Sequence, residues 1–122
     1  MGRRCADMSI RLEEKPFELE GKPYILRCNM AVLDALQEAH EDDFEAFMGQ
    51  SVRTVTAELL AAMLNDYAED MGWPERWTTR DIKKRFSYGY MVAEDIFGML
   101  TRALIPESAA ANNTEPGNDS GN

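Results

Sequence analysis

The chain has 122 residues, with 22 acidic side chains against 13 Lys and Arg, a formal charge of -9, and 44% hydrophobic residues. This composition suits one hydrophobic core, and the negative charge disfavours coating of nucleic acid or an anionic membrane, which would repel it at long range. Cys5, Cys28 and the single histidine, His40, are isolated and make neither a disulfide framework nor a zinc set of usual spacing, so reduced cysteines and no metal or cofactor are expected.

Residues 1–8 read as a flexible N-terminus. They lack the hydrophobic segment of a secretory signal, and Ala6 stands where a myristoylation signal wants Ser or Thr. No apolar run in the sequence approaches the ~20 residues needed to span a bilayer. A single domain is expected over 9–105.

In "KPFELEGKPYIL", Phe17, Leu19, Tyr24 and Leu26 alternate on either side of Gly21, which predicts a hairpin with one buried face. Two strands alone are marginal in water, so that face needs a helix to lie on. Asn29 is placed to cap a first helix ending near His40, with Met30, Leu33, Leu36 and Ala39 as its stripe and Val32 beside them. His40 itself reads as a solvated residue at an acidic helix end.

"HEDDFEAFMGQ" is an acidic connector of one or two helical turns, with Phe44, Phe47 and Met48 as its apolar side and Gly49 as its stop. The longest periodic segment follows, Ser51 to Met71. At about 100° per residue, Val52, Val55, Leu59, Leu60, Met63, Leu64, Tyr67 and Met71 fall within about half its circumference. Gly72 is the expected stop and Pro74 prevents continuation. Trp73 and Trp77 flank that proline, either as staples sealing the core or with one indole left out as a partner anchor.

"TTRD" reads as a capping-box variant, Thr78 toward Asp81, opening a short helix to about Phe86. Arg80, Lys83 and Lys84 share one face of it, with Arg76 and Arg85 close by. A last helix is expected from about Tyr88 to Leu104, with Tyr88, Val92, Ile96, Phe97, Met99, Leu100 and Leu104 on one half. Gly98 falls on its polar side or edge, as a place for another helix to approach or as neutral drift. The end, 106–122, has no Val, Ile, Leu or aromatic residue, so a disordered tail is expected. The fold class is therefore mainly α: an N-terminal β-hairpin packed on a small bundle of about four to five helices.

Chemistry is sparse. A nucleophile needs a base within reach, and His40 at an acidic helix end offers none. Adjacent residues of "HEDD" point in different directions on a helix and cannot close on one ion. There is no P-loop, GxGxxG or HExxH. The expectation is no enzyme and no catalytic residues.

With these residues in view, "FELEGKPYILRCNMAVLDALQEA", a hairpin around "LEGKPY" leading into a "NMAVLDALQE" helix, resembles the small tail assembly chaperones of long-tailed phages and prophages. "VTAELLAAMLNDYAED", "WTTRDIKKRF" and "AEDIFGMLTRAL" are similar to that family's later helices, so the resemblance runs from about Ser9 to Leu104. It implies a protein that binds the long, aggregation-prone tape measure protein and keeps it soluble until tail-tube subunits polymerise around it. It also implies action in the bacterial host cytoplasm and absence from the mature virion. In many such phages a translational frameshift adds a second domain to part of the product, and a tail from Pro106 is compatible with the short form. The chain departs from the family pattern at "WPERW" and in the basic helix.

Phe44, Phe47, Trp73, Trp77, Arg80, Lys83 and Lys84 are the candidate partner-binding residues. Six acids and no Lys or Arg lie between Asp34 and Met48, while residues 76–85 are basic, which suggests head-to-tail homo-oligomers through complementary patches. The alternative readings are a phage-encoded acidic regulator binding a host protein, and a small nucleic-acid module using Arg80, Lys83 and Lys84.

Overall fold

The computed structural model describes residues 12–105; the expected flexible N-terminus over 1–8, the expected tail over 106–122, and Cys5 lie outside them. The described chain is mainly helical with an N-terminal hairpin, as expected. Its elements are β1 (Lys15–Leu19), β2 (Lys22–Leu26), α1 (Met30–Glu38), α2 (Phe44–Met48), α3 (Val52–Met71), α4 (Thr79–Arg85), α5 (Tyr88–Ala93) and α6 (Ile96–Leu104).

The hairpin closes through Glu20 and Gly21, at φ 53° and 79°. Two consecutive positive φ values give the turn the twist that antiparallel strands require. Phe17 faces Tyr24 across the ladder, and Leu19 and Lys15 face Lys22 and Leu26. In a two-residue hairpin these are the hydrogen-bonded pairs, so Pro16, Glu18, Pro23 and Ile25 direct their backbone groups outward. Each proline therefore sits where no ladder bond is lost, and each removes a donor from an open edge. Strand addition by another chain is blunted on both sides.

Phe17, Leu19, Tyr24 and Leu26 are all buried, and burying such side chains stabilises by about 1.5–3 kcal/mol each. Phe17 packs on Phe86 and Tyr90, at centroid separations of 5.8 and 6.4 Å. Tyr24 meets Trp73 edge-on at 5.2 Å and Tyr67 at 6.0 Å. The strands thus rest on α3 and on the α4–α5 junction, a helical support that a lone hairpin lacks.

Local chemistry fixes the helix ends as the sequence predicts. Asn29 accepts from the Val32 amide at 2.8 Å, and Thr78 and Asp81 form a reciprocal capping box; Ser51, read as the first residue of the long periodic segment, instead caps α3 from outside it. The α3 helix ends at Gly72, φ 76°, where the Trp73 amide reaches back to the Ala68 carbonyl at 2.8 Å. A left-handed residue there satisfies carbonyls that would otherwise be orphaned. Nine α3 residues are buried, among them Ala57 and Ala61 as well as the leucines. This central helix is therefore enclosed around more of its circumference than the predicted stripe.

Three expectations change. The single helix over 88–104 is two, because Asp95 takes φ 59° and breaks the ladder between α5 and α6, raising the helix count to six. Gly98 accommodates the Asp95 carboxylate rather than another helix: a Cβ there would stand 2.2 Å from Asp95 Oδ1. Finally, several residues assigned to buried stripes lie outside. Met30 is 76% exposed and Val92 57%, while Met71, Val52 and Leu104 are each more than two-fifths exposed. Met30 and Val52 open their helices, and Met71 and Leu104 close theirs. The neighbouring elements do not cover these ends.

Candidate partner-binding surface

A groove of about 490 Å³ lies between α1, α3 and the segment entering α4. Its α1 wall carries Ala31, Ala35 and Ala39, spaced four apart and all exposed. Residues at that spacing lie one above another on a helix face. Val32 and Leu36, also lining the groove, are buried beneath them. From α3 come Ala61 and Ala62 with Glu58, Asp66 and Glu69. Trp77, Thr78 and Arg76 close one end.

Asn65 holds that end in place. Its side chain donates to the Trp77 carbonyl at 2.8 Å and accepts from the Trp77 amide at 2.7 Å. Trp77 in turn donates its indole N–H to the Tyr24 hydroxyl at 3.2 Å. One asparagine thus pins the loop after α3 to α3 itself.

The opposite end is fixed by His40. It is half-buried, with Nε2 at 2.8 Å from Glu58 Oε2, and Gln50 donates to Glu58 Oε1 at 3.0 Å. The expected solvated histidine is instead a tie between the end of α1 and α3, shielded on one side by the Phe47 ring at 5.7 Å.

The candidate residues separate into distinct places. Phe47 is fully enclosed, because α2 turns it inward against His40 and Phe44; it offers no surface to a partner and leaves the docking set. Phe44 is half-buried at its side. Trp73 and Trp77 are both half-buried and engaged, Trp73 against Tyr24, Tyr67 and the Lys22 ammonium, Trp77 beneath the Arg85 guanidinium. They act as staples, and Trp77 also presents an edge to the groove.

The basic helix is less available than its sequence suggests. Lys83 donates to the Thr54 hydroxyl at 2.8 Å, Arg85 pairs with Glu20, and Arg76 donates to the Trp73 and Glu75 carbonyls. Arg80 and Lys84 are exposed without a carboxylate partner among the described residues. Two free cations make a small patch for a phosphate backbone, where each neutralised phosphate adds its own increment of affinity.

Among the described residues no group of three or more His, Cys, Asp or Glu is arranged to hold a metal ion, and no helix is long and apolar enough to cross a membrane. Cys28 is a buried free thiol; burial, and secondarily the Glu13 carboxylate, push its pKa up to about 11. A thiol so disfavoured as thiolate is a packing residue rather than a nucleophile.

Little in the sequence marks the groove. The alanines at 31, 35 and 39 were its one visible signal, since small side chains repeated on one helix face leave room for a neighbour. In comparisons with known proteins, no family model, no curated protein and no solved structure matches the chain.

Proposed function

We propose that the protein is a non-enzymatic assembly chaperone of the phage tail type, acting in the bacterial host cytoplasm on the tape measure protein. One observation carries this reading: the apolar seams of the helices extend past what the described fold covers. Met30, Val52, Met71, Val92 and Leu104 continue stripes that run into the core at Leu36, Leu60 and Leu100, yet they stand exposed. Such positions can lie against an extended helical client without any rearrangement of the core.

The magnitudes favour coating over a single tight contact. Covering one or two of these side chains yields about 2–5 kcal/mol. That is no more than the ~4–15 kcal/mol lost in associating two molecules. Stable coverage then requires many copies along one long client, where linked sites gain avidity. A coat of chains with a formal charge of -9 each adds like charge to the client, which opposes aggregation.

Self-association fits the same scheme, with Arg80 and Lys84 of one copy meeting the acidic run from Asp34 to Glu45 of the next. Equal sedimentation at low and high salt would count against that contact. Co-expression with the neighbouring tape measure protein tests the function directly. The expected result is a larger soluble fraction of the client and its retention with this chain through purification; an insoluble client that never co-purifies would refute the proposal.

A further inference from the structure

The geometry points to the α1–α3 groove as the seat of a basic amphipathic helix from a partner protein: an alanine-lined trough between two acidic walls. The inference deepens the proposed function by naming where a client helix docks and what chemistry it brings, and it rests on that reading only for the client's identity.

Two features define the occupant. The first is the floor. Ala31, Ala35 and Ala39 on one wall and Ala62 on the other are the smallest side chains that still favour a helix. They allow a third helix to approach toward the lower end of the usual 8–10 Å between helix axes. At nine residues, α1 is about 13 Å long, so two to three turns of the occupant would be covered. An extended strand fits this face poorly, since a helical trough offers no unpaired backbone groups for it to bond.

The second feature is charge. Glu58, Asp66 and Glu69 lie along the α3 wall, Glu58 held by His40 and Gln50, Asp66 by the Asn29 side-chain amide, and Glu69 exposed; Arg76 is the one cation among the lining residues. On α1, Asp34 and Glu38 each precede an alanine of the trough by one position and are exposed, and the helix has no Lys or Arg. Both rims therefore carry carboxylates. The complementary ligand is a helix with a Leu and Ala ridge flanked by Lys or Arg on both sides, steered in by opposite charge.

The chain's own basic element does not meet that description. Ile82, the apolar residue of α4, is fully buried, so α4 has no ridge left to insert even though Arg80 and Lys84 are free. A partner helix fits better than a second copy.

The test uses the full chain and a synthetic helical peptide with a Leu/Ala ridge and Lys flanks, alongside the same peptide with Glu in place of Lys. Nuclear magnetic resonance should show the Lys peptide shifting the amide signals of Ala35, Ala62 and Trp77, with the Glu peptide at least tenfold weaker. Ala35→Arg, which fills the trough and adds a repelling charge, should weaken the Lys peptide at least tenfold. Glu69→Lys, an exposed change on the opposite wall, should weaken it severalfold and serves if the first variant fails to fold.

Shifts centred elsewhere, equal binding of both peptides, or binding indifferent to both variants would overturn the assignment. So would groove signals that move on deletion of residues 1–11, or with protein concentration in high salt, where the contact of Arg80 and Lys84 with the acidic run is screened, since the occupant would then be the chain's own N-terminal segment or a second copy. A tape measure protein that co-purifies equally with Ala35→Arg overturns the groove and leaves the chaperone reading intact. Capture of the Lys peptide in the groove by a protein that retains no tape measure client does the reverse.

Discussion

The two sides of α3 solve the same packing problem in opposite ways. Toward the hairpin, Leu60, Leu64 and Tyr67 meet large partners, and aromatic rings from β2 and the following loop close the contact. About 200° around the same helix, Glu58, Ala62 and Asn65 face a trough walled by the alanines of α1. One face is filled by side chains and sealed; the other is lined by residues too small to fill it and leaves a gap. A helix long enough to span the domain can thus anchor a core and still offer a surface.

The sealed side should respond most strongly to loss of volume. Leu64 is fully buried, and Leu64→Ala should cost about 2–5 kcal/mol, the transfer loss plus a cavity. Urea denaturation gives the value. A cost under about 1 kcal/mol would mean that this face is as loosely filled as the groove, and the contrast would vanish.

Sequence legibility follows the same division. The hairpin face, the Asn29 and Thr78 caps and the Gly72 stop were readable because each depends on a few neighbouring residues whose chemistry has one common use. The open side was not, because alanine adds little to a hydrophobic pattern whether it is buried, as at Ala57, or exposed, as at Ala35. Met30 and Val92 were misplaced for a related reason: half a helical wheel is wider than the strip a neighbour covers. The break at Asp95 left no mark either, since the apolar period runs through "YGYMVAEDIFGML" without a proline. Asn65 was one polar residue among several until the loop it holds came into view.

A second test lies in the link where the hairpin runs into α1. Cys28 is buried there, with its pKa raised from 9.0 to about 11 by desolvation first and Glu13 second. The folded state keeps the thiol protonated while the unfolded chain ionises, so this stability is fully present below pH 9 and is lost as pH rises toward 11. At about 1.4 kcal/mol per pKa unit, the loss approaches 2–3 kcal/mol. The difference in unfolding free energy between the native chain and Cys28→Ala, followed from pH 8 to pH 11, isolates it from other alkaline titrations. A difference that stays constant over this range would show the thiol to be solvated.

The wall shared by both sides should give an intermediate effect. Asn65→Ala removes two hydrogen bonds to the Trp77 backbone, at 2.8 and 2.7 Å. The expected cost is about 1–3 kcal/mol, with faster hydrogen exchange at the Trp77 amide. Global destabilisation without selective exchange at Trp77 would mean that the loop is held mainly by its aromatic contacts, and that the groove's end wall does not depend on α3.

The smallest effect discriminates best. Ala57 is fully buried on the sealed side and Ala35 exposed on the groove wall, so the same substitution to leucine puts identical atoms into the two environments. Helix propensity barely separates Ala from Leu, which leaves space as the variable. Ala57→Leu should cost about 1–3 kcal/mol through overpacking, whereas Ala35→Leu should fall within about 0.5 kcal/mol of the native chain. Equal costs at both sites would show the trough to be closed in solution, because three added carbons can be tolerated at position 35 only where the wall opposite stands far enough away to admit them.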